Sequence, residues 1–94
     1  MKEITVKEVL KKTDGEIIDV RETDEYATGH LPQAKNIPLA GIMMNPTQFF
    51  ETDKKYYIVC ESGGRSMYAC EVLEANGYDV TNVIGGTSAY RQMK

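Results

Sequence analysis

Tyr56-Tyr57-Ile58-Val59-Cys60, followed at once by Glu61-Ser62-Gly63-Gly64-Arg65-Ser66, is the most informative stretch of this chain. Its first five residues are apolar without alternation. A strand with that pattern is buried on both faces, as in the centre of a parallel sheet covered by helices. The two glycines let the backbone curl tightly. From about 66 to 76 the pattern becomes helical: Ala69, Cys70 and Leu73 share an inner face, Glu71 and Glu74 point outward, and Gly77 suits the position after the helix. The reading is therefore a buried strand, a tight loop and a helix, with a thiol at the junction.

The flanks repeat the theme. Upstream, Thr5 and Glu8 form a capping box ahead of Val6, Val9 and Leu10, which line a short helix. Asp14-Gly15 is a turn signal, and 16–20 reads as a strand. Thr23 or Asp24 is expected to cap a short helix through Tyr26 and Ala27, ended by Gly29. Residues 36–38 read as a short strand, which Pro38 places at an edge or strand end. Gly41, Pro46 and the pairs Met43-Met44 and Phe49-Phe50 suggest short helical turns around a loop. Downstream, 79–84 is another strand, and Gly85-Gly86 turns the chain into a last helix through Tyr90. This alternation predicts an α/β domain with a largely parallel sheet, whose chemistry gathers at the carboxyl ends of the strands.

Bulk properties narrow the function. A chain of 94 residues suits one domain, 1–94. With a net charge of −3 and no basic run, it lacks the basic face that nucleic-acid binding needs. The first ten residues hold no continuous apolar stretch, so neither a signal peptide nor a spanning helix is expected, and the cytoplasm is the expected location. Thiols stay reduced there. Cys60 and Cys70 are not a Cys-x-x-Cys pair, and a single histidine gives no cluster with zinc spacing.

The loop after the strand therefore carries the chemistry. Cys60 stands at the mouth of a helix N-terminus, where unpaired N–H groups and the helix dipole favour a thiolate over a thiol. A curled glycine loop also turns successive amides inward as an anion nest. A thiolate so held can attack sulfane sulfur, store it as a persulfide and pass it on.

At this loop the sequence resembles the rhodanese family of sulfurtransferases. Cys60-Glu61-Ser62-Gly63-Gly64-Arg65-Ser66 looks like that family's active-site loop. Two further stretches agree in order: Ile17-Ile18-Asp19-Val20-Arg21 with Glu25-Tyr26, Gly29-His30-Leu31, Ala34 and Asn36-Ile37-Pro38, and then Val83-Ile84-Gly85-Gly86. The resemblance implies a three-layer α/β domain with a mostly parallel five-stranded sheet flanked by helices. It implies thiosulfate:cyanide sulfurtransferase-like activity through a Cys60 persulfide, with no cofactor. Donors would be thiosulfate, polysulfides or persulfides. Acceptors would be cyanide, thiols or a partner protein, served by a monomer or weak dimer.

Within this reading Cys60 is catalytic, and Glu61, Ser62, Gly63, Gly64, Arg65 and Ser66 bind the substrate. Arg65 orients the anion or pins the loop through a carboxylate. Asp19 and Arg21 support the site, with an Arg21–Glu25 ion pair expected. His30 belongs to a structural turn, and Cys70 to the core, with a resolving disulfide to Cys60 as the alternative. Glu61 is expected to repel a dianionic donor. Gln33, where many family members have glycine, and Tyr90, where tryptophan is common, read as packing changes.

Two other readings stay open. One is a rhodanese-like binding or regulatory module without catalysis. The other is a Cys-dependent phosphatase or arsenate reductase, whose loops place five residues between cysteine and arginine. Here there are four, residues 61–64, a tighter ring suited to a sulfur atom.

Overall fold

A computed structural model describes residues 1–93. Five strands, β1 (Lys2–Thr5), β2 (Glu16–Asp19), β3 (Lys35–Asn36), β4 (Lys55–Val59) and β5 (Asp79–Ile84), form one sheet in the order β1-β5-β4-β2-β3. Every pairing is parallel. The helices are α1 (Val6–Val9), α2 (Thr23–Ala27), α3 (Leu39–Met44), α4 (Gly64–Ala75) and α5 (Gly86–Arg91), with a 3-10 turn at Pro46–Gln48.

The uniform apolarity of β4 has the expected cause. Successive side chains point to opposite faces, and here both faces are covered. Tyr56, Ile58 and Cys60 join a core with Ile18, Val80, Ile42, Ala69, Cys70 and Leu73, beneath α3 and α4. Tyr57 and Val59 join Val6, Val9, Leu31 and Val83, with Ala89 and Tyr90 half-buried against them, beneath α1 and α5. The result is helix, sheet, helix in three layers. Alternation also sets which layer Cys60 meets: it shares the face of Ile58, so its thiol turns toward α4.

Strand order sets the place of the site. The chain leaves β2 toward β3 on one side and leaves β4 toward β5 on the other, while β2 and β4 are neighbours. The loops following them therefore diverge and open a crevice at their carboxyl ends. Asp19 pairs with Val59, which brings Arg21 and Cys60 to the same end of that crevice.

Several local expectations change. Helix α4 starts at Gly64 rather than Ser66, because Gly63 takes φ 117° and turns the chain two residues earlier. Helix α2 is preceded by Glu22 rather than capped by Thr23 or Asp24; Glu25 reaches back and accepts the Glu22 N–H at 2.9 Å. Strand β1 has no counterpart in the sequence pattern, where Thr5 opens a helix. Thr5 does cap α1 through the Thr5–Glu8 box, and the strand leads directly into it.

Candidate functional site

The thiol of Cys60 is almost wholly buried, at 1 % exposure, in the residue just after β4. Its Sγ accepts the Gly63 N–H at 3.0 Å and lies 3.4 Å from Ser66 Oγ. The positive φ of Gly63 then turns the chain that follows into α4. Helix geometry leaves the amides that open α4, those of Gly64, Arg65 and Ser66, without intrahelical acceptors. Sulfur and helix mouth are thus brought together as the glycines suggested. Ser62 is exposed at the tip of the loop, Gly63 and Ser66 are buried, and Gly64 is open to solvent.

The loop is held from three directions. From the α5 side, Thr87 N donates to Cys60 O and Ser88 N to Glu61 O, both at 2.9 Å, and Thr87 Oγ1 adds a bond to Cys60 O at 3.2 Å. The approach is so close that a Cβ on Gly86 (φ +59°) would stand 2.4 Å from Cys60 O and 2.6 Å from Glu61 O. That explains the second glycine of Gly85-Gly86.

From β2 comes Arg21, fully buried. Its Nε donates to Asp19 Oδ1 at 3.0 Å and Nη2 to Asp19 Oδ2 at 2.9 Å. The same Nη2 reaches Gly29 O at 2.7 Å, and Nη1 reaches Glu61 Oε1 at 3.1 Å. Burial works against this charge, but the bonds and charges of Asp19 and Glu61 outweigh it and raise the guanidinium above its ordinary value. The other Glu61 oxygen accepts from Arg91 of α5. Arg91, and then Arg21, hold the Glu61 carboxyl below the usual range. The acid after Cys60 is therefore paired with two guanidinium groups, a circumstance its expected repulsion of a dianion left out.

From α2 comes Glu25, which takes Arg65 in a bidentate pair, Nη1 to Oε1 at 2.7 Å and Nη2 to Oε2 at 2.9 Å. Arg65, and then the Glu22 amide, push the Glu25 carboxyl down to about 2. The expected Arg21–Glu25 pair is replaced by two others, Arg21 with Asp19 and Glu61, and Arg65 with Glu25. The reason is topological. Arg21 lies beside the loop after β4, and Glu25 faces the first turn of α4. Of the two roles open to Arg65, the structure shows the carboxylate pin.

The remaining candidates stand apart from the sulfur. His30 stacks on Tyr26 at 3.7 Å and donates from Nδ1 to Tyr26 O at 2.9 Å, a turn-forming role. Cys70 is fully buried on the inner face of α4, and burial pushes its thiol up to about 12. Gln33 is a backbone feature rather than a packing change: its φ of 66° is the left-handed conformation that glycine adopts without strain. Sequence reasoning missed Asn82, whose Oδ1 lies 2.5 Å from Ser66 Oγ behind the cysteine. An amide amid Val80, Thr81 and Val83 on a buried strand was the available signal.

Comparisons with known proteins bear on the family and the fold. The family profile for the rhodanese-like domain matches residues 5–93. YtwF of Bacillus subtilis (strain 168), named as a candidate sulfurtransferase, is 36% identical over 94 residues, covering 96% of this chain and 90% of its own. YrkF of the same organism, named as a candidate sulfur carrier protein, is 35% identical over 89 residues, and the match spans 48% of its length. Among solved structures, a rhodanese-like domain protein from Staphylococcus aureus is 40% identical with a TM-score of 0.82, covering 96% of this chain and 91% of its own.

Proposed function

The chain belongs to the rhodanese-like domain family, and from that premise we propose that Cys60 is a persulfide carrier acting in sulfur transfer. The Cys60 thiolate attacks the outer sulfur of thiosulfate, a polysulfide or a persulfide. The donor's S–S bond breaks, its electron pair leaves with sulfite, a shortened polysulfide or a thiolate, and Cys60–S–S⁻ forms. In the second half-reaction cyanide, a thiol or a partner protein's thiol attacks that outer sulfur, and the Cys60 thiolate departs. The cycle needs no external oxidant, and an acceptor thiol gives up its proton to solvent.

The Gly63 amide aimed at Sγ from 3.0 Å carries this reading. It is a donor already in place for the anion that forms, where preorganised dipoles are worth most. The pairing of Glu61 with Arg21 and Arg91 supports the use of anionic donors. A second reading, a binding module without turnover, draws on the burial of Cys60 at 1 % exposure.

Intact-protein mass spectrometry separates them. Reduced protein is incubated with thiosulfate or polysulfide, beside Cys60→Ser. A gain of about one sulfur mass, reversed by a thiol reductant and absent in the variant, is expected of a covalent intermediate. No gain from any donor on folded protein selects the binding module.

A further inference from the structure

We propose that Asn82 is a positioning residue that switches the Ser66 hydroxyl between accepting from the Cys60 thiol and donating to the anionic sulfur that replaces it. The inference rests on the proposed cycling of Cys60 between thiol and anionic forms.

Ser66 Oγ has three neighbours: Cys60 Sγ at 3.4 Å, Gly63 O at 3.1 Å and Asn82 Oδ1 at 2.5 Å. A hydroxyl has one proton to give. Both oxygens only accept, so the proton points to one of them and a lone pair faces the sulfur. That suits S–H, which donates to Ser66. It does not suit a thiolate or persulfide, which brings no proton to the contact. For the anion, Ser66 must turn its proton to sulfur. Its own oxygen would then face Asn82 Oδ1 at 2.5 Å with no hydrogen between them.

A carboxamide resolves this. A half-turn about its last torsion exchanges Oδ1 for Nδ2, which then donates to Ser66 Oγ. An aspartate or a backbone carbonyl could not reverse in this way. Ser66 is fully buried and Asn82 only 2 % exposed, so bulk water does not replace the amide. Asn82 is opposite Ile58 in the register of β4 and β5, which fixes its depth below the loop.

The charged and titratable groups around Cys60 are Arg65 and Cys70 on α4 and Glu61 in the loop. Glu25 of α2 holds Arg65, while Arg21 after β2 and Arg91 of α5 hold Glu61. Among the described residues none of these bonds to Ser66 or Asn82.

The test reads protonation rather than transfer. The Asn82 side-chain amide resonances are followed by ¹H–¹⁵N NMR across pH, beside the pH profile of Cys60 alkylation by iodoacetamide. Labelling of buried Cys70 reports any unfolding. The resonances are expected to move with the midpoint of Cys60 alkylation and to go flat in Ser66→Ala. In that variant the alkylation midpoint should rise by about one pH unit, the worth of one charge-assisted hydrogen bond. Asn82→Asp holds the Ser66 proton on a carboxylate. It should raise the midpoint more when Ser66 is present than in the Ser66→Ala background, where only the added charge acts. Flat Asn82 resonances in folded wild-type protein overturn the proposal, as do equal Asn82→Asp shifts in the two backgrounds. If Asn82→Asp unfolds, the titrations of wild type and Ser66→Ala decide alone. A chain that never accepts sulfur still gives both readouts, so failure of the persulfide reading is distinguishable.

Discussion

Gly86→Ala tests whether α5 sets the shape of the loop after Cys60. The added Cβ would lie 2.4 Å from Cys60 O and 2.6 Å from Glu61 O, at a φ of +59°. An ordinary carbon–oxygen approach is about 3.3 Å or more, so the loop and α5 must separate by roughly 0.9 Å. The left-handed conformation costs a non-glycine residue about 1 kcal/mol. The Thr87 and Ser88 amide bonds to the loop, both 2.9 Å, are weakened together, and each is worth about 1 kcal/mol. The expected loss is about 3 kcal/mol, which a domain of ordinary stability survives. A displacement near 1 Å in a reacting group costs on the order of 100-fold in rate, so persulfide loading of Cys60 should slow by about that factor. Gly77→Ala is the control. Its φ is +88° but its Cβ meets nothing within 4 Å, so it should lose about 1 kcal/mol and load at the wild-type rate. Urea unfolding and time-resolved mass spectrometry measure the two effects. Equal stability losses in the two variants, with loading unchanged in both, would refute the role given to α5.

Arg21→Met leaves Asp19 buried without its partner and should cost about 3–5 kcal/mol in urea unfolding. Arg21→Lys should recover little, because an ammonium cannot reproduce the three-way contact with Asp19, Gly29 and Glu61. Glu25→Gln should cost about 1 kcal/mol near neutrality, since the Arg65–Glu25 pair is about a third exposed and screened. The folded carboxyl is depressed from 4.5 to about 2, so its contribution is full above about 4.5 and is lost as pH falls toward about 2; acid unfolding curves of the two proteins should converge over that window. Gln33→Gly relieves a φ of 66° but loosens the unfolded chain, and a net gain of about 0.5 kcal/mol in thermal or urea unfolding is expected.

The parts legible in the sequence were those written in short range. An apolar run ending in cysteine, two glycines and a helical pattern located β4, the loop and α4, because burial and backbone freedom act over a few residues. Strand β1 lacked that signal: only Ile4 among its four residues is buried, so its pairing with β5 rests on backbone bonds that no residue pattern announces. The ion pairs failed for a different reason. Arg21, Glu25, Glu61 and Arg65 allow two pairings, and proximity in sequence favoured Arg21 with Glu25. Adjacency of β2 and β4 brings Arg21 to Glu61 instead, forty residues away. Asn82 in the sequence is one polar residue on a strand. Its role depends on Ser66, which approaches from another element.

The three attachments of the loop have a common logic. A peptide plane carries its C=O and N–H on opposite sides. When Thr87 and Ser88 take the carbonyls of Cys60 and Glu61, the amides of Glu61 and Ser62 must point away from α5. Cys60 faces α4, on the other side of the sheet from α5, and its sulfur accepts the next amide along, that of Gly63. Arg21 and Glu25 then hold the loop through side chains, Glu61 and Arg65, and use none of its N–H groups. All three attachments thus consume acceptors or charged ends and leave the loop's donors for the anion proposed at Cys60. The Gly85-Gly86 turn, some twenty-five residues downstream of the cysteine, thereby belongs to the sulfur site through its contact with the loop carbonyls.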